Sequence, residues 1–327
     1  MIRRVAPAIA LYFLAPLISE FLLGDFPITK LGLILIFAPM YGGGALLIRE
    51  IVRRTGGGWP RIIALALAYG IFEEAFTTQT LFNPNYLGLN MHLLDHAYIP
   101  ALGIGAWWTV FVLTLHTIWS ISVSIALAEA LVPERATEPW LRTLGLTIVT
   151  VLLVAVAVMM TKFSIKQDHT HFIATKAQFT WSAVAVLVVA GAAFLLPKTS
   201  PQRILSSANA PSPWLAGFAA LLLTSLFFLA PPTLGWGAVG CYFALDIAAI
   251  ALYWAWSRCA GWNSLHRLAM AGGAALTYAW RAFLHAPVIG GDSPRLNLIS
   301  HIVFALGLVG LLWVAWQRTA RVVRMVA

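Results

Sequence analysis

The sequence predicts an all-α, polytopic integral membrane protein with about ten transmembrane helices and both termini cytoplasmic. Three observations carry that class. Hydrophobic residues make up 60% of the chain and the mean hydropathy is +0.84. Asp, Glu, Lys and Arg make up only 10%, against about 25% in an ordinary soluble domain. Apolar stretches of membrane-spanning length recur along the whole chain, separated by short segments that hold most of the basic residues.

A span needs roughly 20 mostly apolar residues. Ten stretches meet that need: 5–23, 31–49, 61–82, 103–131, 143–161, 178–196, 213–230, 237–256, 265–285 and 298–317. The first follows Met1-Ile2-Arg3-Arg4, but Ser19 and Glu20 lead into no small-x-small cleavage site, so it reads as an uncleaved span. After the second, Arg53-Arg54-Thr55-Gly56-Gly57-Gly58-Trp59-Pro60 forms a tight turn, and Pro60 is suited to open the third span. Residues 83–103 begin Asn83-Pro84-Asn85-Tyr86, a run of turn formers. The stretch 87–98 within them has helical spacing and is expected to lie in the membrane interface. A polar loop, 162–176, follows the fifth span. The Ser/Pro/Ala-rich segment 198–212 is the expected linker between two sub-bundles of a single transmembrane domain over 1–327. Six helices lie in 1–197 and four in 213–327. The last ten residues form a basic tail suited to anionic lipid.

Loop charge sets the expected orientation. With the N-terminus cytoplasmic, the inside holds Arg3, Arg4, Arg49, Arg53, Arg54, Arg61, Arg135, Arg142, Lys198, Arg203, Arg258, Arg267, Arg318, Arg321 and Arg324, which is 15 residues. The outside keeps Lys30, Lys162, Lys166, Lys176, Arg281 and Arg295, which is 6. That asymmetry is the positive-inside pattern, and it places the protein in the cell membrane as a multi-pass chain. The net charge of +9 is thus spread over loops and predicts a lipid bilayer as partner, not nucleic acid. Cys241 and Cys259 sit at opposite ends of one predicted helix, too far apart to pair. Of the 14 tryptophans, Trp59, Trp107, Trp108, Trp140, Trp214, Trp236, Trp262 and Trp313 fall near predicted helix ends, the usual place for interface anchors.

Motifs of soluble chemistry are missing: no phosphate-binding Gly loop with its Lys, no HExxH, no GxSxG. The informative groups lie inside the spans. Glu73 and Glu74 fall about 12 residues into the third span, roughly 18 Å deep, near the bilayer midplane. Ionisable groups at that depth mark functional sites by default. Thr77 and Thr78 extend the polar patch. His116 lies in the middle of the fourth span, on a stripe with Thr109, Ser120 and Ser124. Consecutive antiparallel spans bring the two patches together. Two neighbouring carboxylates in low dielectric resist double ionisation, which would supply an acid and a base, and His116 would complete a water-activating set. Asp246 is a further midplane acid in the eighth span. Glu20 and His301 read as shallow, interfacial groups. His92 and His96 stand four apart with Asp95 between them and are the weak candidates for a metal, as are His169 and His171; the expected metal and cofactor content is otherwise none.

A Glu pair in one span with an intramembrane His in the next resembles the CAAX-protease and bacteriocin-processing family, with its PrsW-like relatives (CPBP/PrsW-like), a superfamily of glutamate-type intramembrane proteases. The resemblance implies a water-activating site with Glu73 as general base, His116 as its partner and Glu74 in support. It further implies a membrane-embedded peptide or prenyl-peptide substrate. The family's EExxxR has Thr78 in place of Arg, its FxxxH has Val112 in place of Phe, and its later HxxxN or HxxxD has no counterpart. The leading expectation is therefore a metal-independent intramembrane hydrolase, protease-like or a degenerate relative, with Glu73, Glu74 and His116 catalytic and Thr77, Thr78, Ser120 and Asp246 as supporting polar groups. The alternative is an ion- or proton-coupled transporter or channel using Glu73, Glu74 and Asp246. A non-catalytic membrane scaffold is the third reading.

Overall fold

The computed structural model describes residues 2–196, 198, 206–288 and 292–326. Residues 199–205 of the linker 198–212, Arg203 among them, lie outside these residues. Apolar sequence without water to satisfy its backbone forces helices, and helices dominate. We number them in chain order. α1 is Ile2–Pro16, continued by the wide turn Leu17–Leu22. α2 is Ile28–Arg54. α3 is Trp59–Phe72, continued by Glu73–Thr77. α4 is Ala106–Leu131 and α5 is Thr143–Gln167. α6 is Lys176–Leu195, α7 Pro213–Leu229, α8 Trp236–Trp256, α9 Ser264–Ala282 and α10 Pro294–Val326.

Seven of the described helices are long and apolar enough to cross a membrane: α1, α2, α4, α5, α6, α8 and α10. The other three differ for visible reasons. α3 carries Arg61, Glu73 and Glu74. α7 is apolar but has 17 residues. α9 is diluted by small and polar residues and by Arg267 and Arg281.

Several ends differ from the sequence expectation. α2 runs through Arg49, Arg53 and Arg54, so these are helical and not loop residues, with Arg53 and Arg54 in the last turn. Lys162 and Lys166 are likewise helical, within α5. The basic tail 318–326 continues α10. The expected interfacial helix over 87–98 does not form. Only Tyr86–Gly88 makes a short 3-10 turn, and Leu87, Asn90, His92 and Ala97 have positive φ, which no α-helix tolerates. The segment instead leads into a small hairpin of β1 (Tyr98–Ile99) and β2 (Ile104–Gly105).

Two apolar cores flank α4. One gathers α1 to α6 around Leu11, Met40, Leu46, Ile62, Ile121 and Trp140. The other packs α7 to α10 against α1 and α4 around Trp119, Phe227, Tyr242 and Tyr278. Small residues let the helices approach. A Cβ on Gly42 would lie 2.0 Å from the Tyr12 carbonyl oxygen, and one on Gly273 would lie 2.1 Å from that of Gly217. These crossings of α1 with α2 and of α7 with α9 are the small-residue contacts expected of helices packing in lipid.

The two ends of the bundle are tied differently. At the arginine end, Glu129 accepts from Arg49 Nε at 3.0 Å and from Arg53 Nη2 at 2.7 Å. Arg49 also pairs with Glu50 at 3.0 Å and stacks on Trp140, its guanidinium carbon 3.2 Å from the ring centre. Glu50 in turn accepts the backbone N–H groups of Trp140 and Leu141. Trp140 is thus fully buried rather than an interface anchor. Arg61 donates to the free carbonyls of Leu196 and Phe194 at the end of α6, a C-terminal cap. At the hairpin end, Asp168 accepts from Asn83 at 2.8 Å and from the Thr170 N–H and hydroxyl. Burial pushes its carboxyl up, but the Thr170 and Asn83 donors outweigh that, and the carboxyl lies below the usual Asp range.

Glu129→Ala leaves Arg49 and Arg53 buried without their acceptor, and thermal unfolding in detergent should show a loss of about 3–5 kcal/mol; Glu138→Ala, an exposed pair member, should cost under about 1 kcal/mol. Because the folded-state pKa of Asp168 is lowered, its contribution is present above the unfolded Asp value of about 3.9 and is lost as pH falls through the folded value. Acid-induced unfolding should therefore weaken its pH dependence in Asp168→Asn, and an unchanged profile would contradict the assignment.

Candidate functional site

Four helices in the described residues contain a wide, π-helical turn: Leu17–Leu22 in α1, Ala38–Gly42 in α2, Glu73–Thr77 in α3 and His116–Val123 in α4. The widened bonds are visible directly. The Asp25 N–H reaches the Glu20 carbonyl at 3.0 Å and the Thr78 N–H reaches the Glu73 carbonyl at 3.0 Å, each five residues back. Such turns insert a residue, rotate the side chains that follow and concentrate at functional sites. Here all four deliver a polar side chain to one place: Glu20, Tyr41, the Glu73–Glu74 pair and His116.

Gly70 lets α4 close on α3 at this level, since a Cβ there would lie 3.1 Å from the His116 Cβ. The imidazole then fits between the two glutamates. His116 Nε2 lies 2.7 Å from Glu74 Oε1. Its Nδ1 lies 3.3 Å from Glu73 Oε2 and 3.4 Å from Ser120 Oγ. Tyr41 stacks on the ring, with centroids 6.1 Å apart and planes 12° apart. The Tyr41 hydroxyl faces Glu20 and Glu73. Tyr69, whose hydroxyl donates to the Met40 carbonyl at 2.8 Å, faces Glu73 from α3. Glu73, Glu74 and His116 are all buried.

The two glutamates are held very differently. Glu74 is saturated: Oε1 meets His116, and Oε2 accepts from Thr78 at 3.0 Å and from Thr80. Thr80 also accepts the Trp108 indole N–H at 3.0 Å. Glu73 Oε2 is buried and has no hydrogen-bond partner of acceptable geometry; the approach of His116 Nδ1 is a charge contact only. A carboxylate oxygen that is buried, unsatisfied and beside an imidazole is expensive to maintain and available for a proton. Ligand atoms of Glu73, Glu74 and His116 lie within 4.8 Å of one another, near enough to share a metal ion. Both ring nitrogens already face carboxylates, so an ion would have to displace the Glu74 hydrogen bond.

The sequence reading and the structure agree on some residues and part on others. Glu73, Glu74, His116, Thr78 and Ser120 come together. Thr77 is buried beside them in the same wide turn. Thr109 bonds to the Gly105 carbonyl four residues back, an ordinary Thr back-bond, and Ser124 reaches the Trp119 carbonyl five residues back across the wide turn. Asp246 stands apart. Its carboxylate accepts from Thr114 at 3.0 Å, and Thr114 lies two residues from His116, on the opposite face of α4. There it lines an apolar cavity of about 160 Å³ between α4, α7, α8 and α9. His92 and His96 do not share a helix face: His92 pairs with Asp95 at 2.9 Å in solvent, and His96 packs edge-on against Trp107. Glu20, expected at the interface, faces Tyr41 in the cluster instead. Glu20, Tyr41, Tyr69 and Thr80 were missed. The only signal for Glu20 was its acid character at the end of an apolar span.

Fold and site together define a helical membrane protein with a buried carboxylate–imidazole centre. The chain belongs to an uncharacterized membrane protein family, matched over residues 9–176. That stretch spans most of α1 and all of α2 to α5, and it contains every residue of the cluster. No curated protein and no solved structure matches the chain.

Thr80→Val removes a donor to Glu74 and the acceptor of Trp108 at once. The expected cost is about 1–3 kcal/mol of stability, read as a lower melting temperature in detergent, with the neighbouring Thr77→Val smaller. Equal effects would show that Thr80 carries no special load.

Proposed function

We propose that this protein is an intramembrane hydrolase, protease-like, in the cell membrane, with ten spans and both termini cytoplasmic. The observation that carries the reading is the unsatisfied Glu73 Oε2, buried against His116 while its neighbour Glu74 is fully bonded. Charge asymmetry of the loops supports the orientation.

Glu73 Oε2 takes a proton from a water held against it. The hydroxide oxygen adds to the carbonyl carbon of a peptide bond. The proton on Glu73 then passes to the leaving amine as the C–N bond breaks, so the carboxylate is regenerated. His116 lies beside the developing charge, and Glu74, locked by Thr78 and Thr80, fixes the ring from the other side. Tyr41 lies parallel to the imidazole, with centroids 6.1 Å apart. Burial restricts the site to substrates that enter from the membrane, so the substrate class is a membrane-embedded or prenylated peptide. No metal is needed for these steps. The transporter reading needs Asp246 on the same polar path as the glutamates; its position against Thr114, on the far face of α4, weighs against that.

The test is peptide cleavage by the purified chain in lipid nanodiscs, using apolar membrane-spanning and prenylated peptides. Glu73→Gln and His116→Ala should each lower kcat/KM by about 100-fold or more, while Asp246→Asn stays within about threefold. Absence of cleavage by the wild type, together with a Glu73-dependent cation flux in proteoliposomes, would overturn the reading in favour of a transporter.

A further inference from the structure

A second polar cavity lies at the hairpin end, away from the glutamate pair. It has a volume of about 250 Å³ and is formed by residues 283–287, just after α9, and by the start of α10. His285, Asn297 and His301 line it, together with Phe283 and Pro287. Two of its polar atoms, His301 Nδ1 and Asn297 Oδ1, are buried and have no partner. Buried polar atoms left open in this way need an explanation, and a bound ion supplies one.

Each group is held in place. His301 is 8% exposed. Its ring packs edge-on against Phe283, with centroids 5.6 Å apart, and touches the chain at Gly24, where a Cβ would lie 3.2 Å from Cε1. Gly24 has φ +97°, so only glycine fits there without strain. The Asn297 amide is oriented by its Nδ2, which donates to the Asp292 carbonyl at 3.3 Å; the orphan atom is therefore the oxygen. His285 Nε2 lies 2.8 Å from Asp25 Oδ1. A carboxylate only accepts, so Nε2 is the donor, and Nδ1 is the ring nitrogen left for a ligand.

The cavity lining thus offers two imidazoles and an amide oxygen, with a carboxylate behind one imidazole. Carboxylate-backed histidine is the usual outer shell of a metal ligand, and mixed imidazole and oxygen donors suit divalent first-row transition ions. We propose that His285, His301 and Asn297 bind a divalent transition-metal ion of the zinc or cobalt type, with Asp25 as the positioning residue for His285. The site is independent of the hydrolase reading. An ion there would also join α1 to α9 and α10 through Asp25, three residues past the wide turn that carries Glu20.

The test is titration of the tag-free full-length protein in detergent with cobalt(II) chloride, read by visible absorption, with zinc displacement as confirmation. One ion per chain is expected, with imidazole scattering from two histidines in X-ray absorption of the wild type. His285→Ala combined with His301→Ala should abolish the band, and Asp25→Asn should weaken binding about 10- to 100-fold. Folding of each variant is checked by size-exclusion profile, and the X-ray absorption arm needs no variant. No cobalt band in the wild type would overturn the proposal. So would a band that survives the double variant and disappears in Glu73→Gln/Glu74→Gln or in His92→Ala/His96→Ala.

Discussion

The contact between His116 and the two glutamates is the constraint on which the interior depends. A carboxylate pair has no place between apolar helices unless something answers its charge. His116 answers both, at 2.7 Å from Glu74 and 3.3 Å from Glu73. To bring one imidazole between two adjacent residues, α3 and α4 must approach closely, which Gly70 allows. They must also turn their side chains off the regular helical register. The wide turns in both helices do this, and matching turns in α1 and α2 bring Glu20 and Tyr41 to the same level.

The rest of the bundle serves to hold that level in place. The arginine end is fastened by Glu129 between Arg49 and Arg53, with Glu50 gripping the chain at Trp140 and Leu141. The hairpin end is fastened by Asp168 with Asn83 and by Asp25 with His285. Between them, α4 is shared by two apolar cores. It presents His116 to one side and Thr114, with Asp246, to the other. The family match over residues 9–176 takes in the helices of the first core up to the start of α6, and that is where the cluster lies.

Much of this was legible in the sequence because hydropathy reports burial in lipid and ionisable residues stand out against it. Glu73, Glu74 and His116 were found that way, and spacing along consecutive spans was enough to pair them. What escaped had physical reasons. Hydropathy does not register a one-residue widening of a helix, so the stripe through Thr109 and Ser124 was assumed and Glu20 was placed at the interface. Arg49 and Arg53 are balanced by Glu50 and Glu129, so a count of Lys and Arg alone reads a buried network as a loop. The stretch 87–98 has helical spacing but takes positive φ at Leu87, Asn90, His92 and Ala97, set by the hairpin it feeds. His301 lies near the start of α10, and contacts from Gly24 and Phe283 bury it there.

The proposed role of Glu73 is to activate water and not to attack the substrate itself. Single-turnover cleavage of a membrane-spanning peptide in ¹⁸O-labelled water separates the two. Water activation predicts one ¹⁸O in the new carboxyl terminus from the first turnover and no change in protein mass. An unlabelled first product, with ¹⁸O later found in the Glu73 carboxyl, would contradict the account.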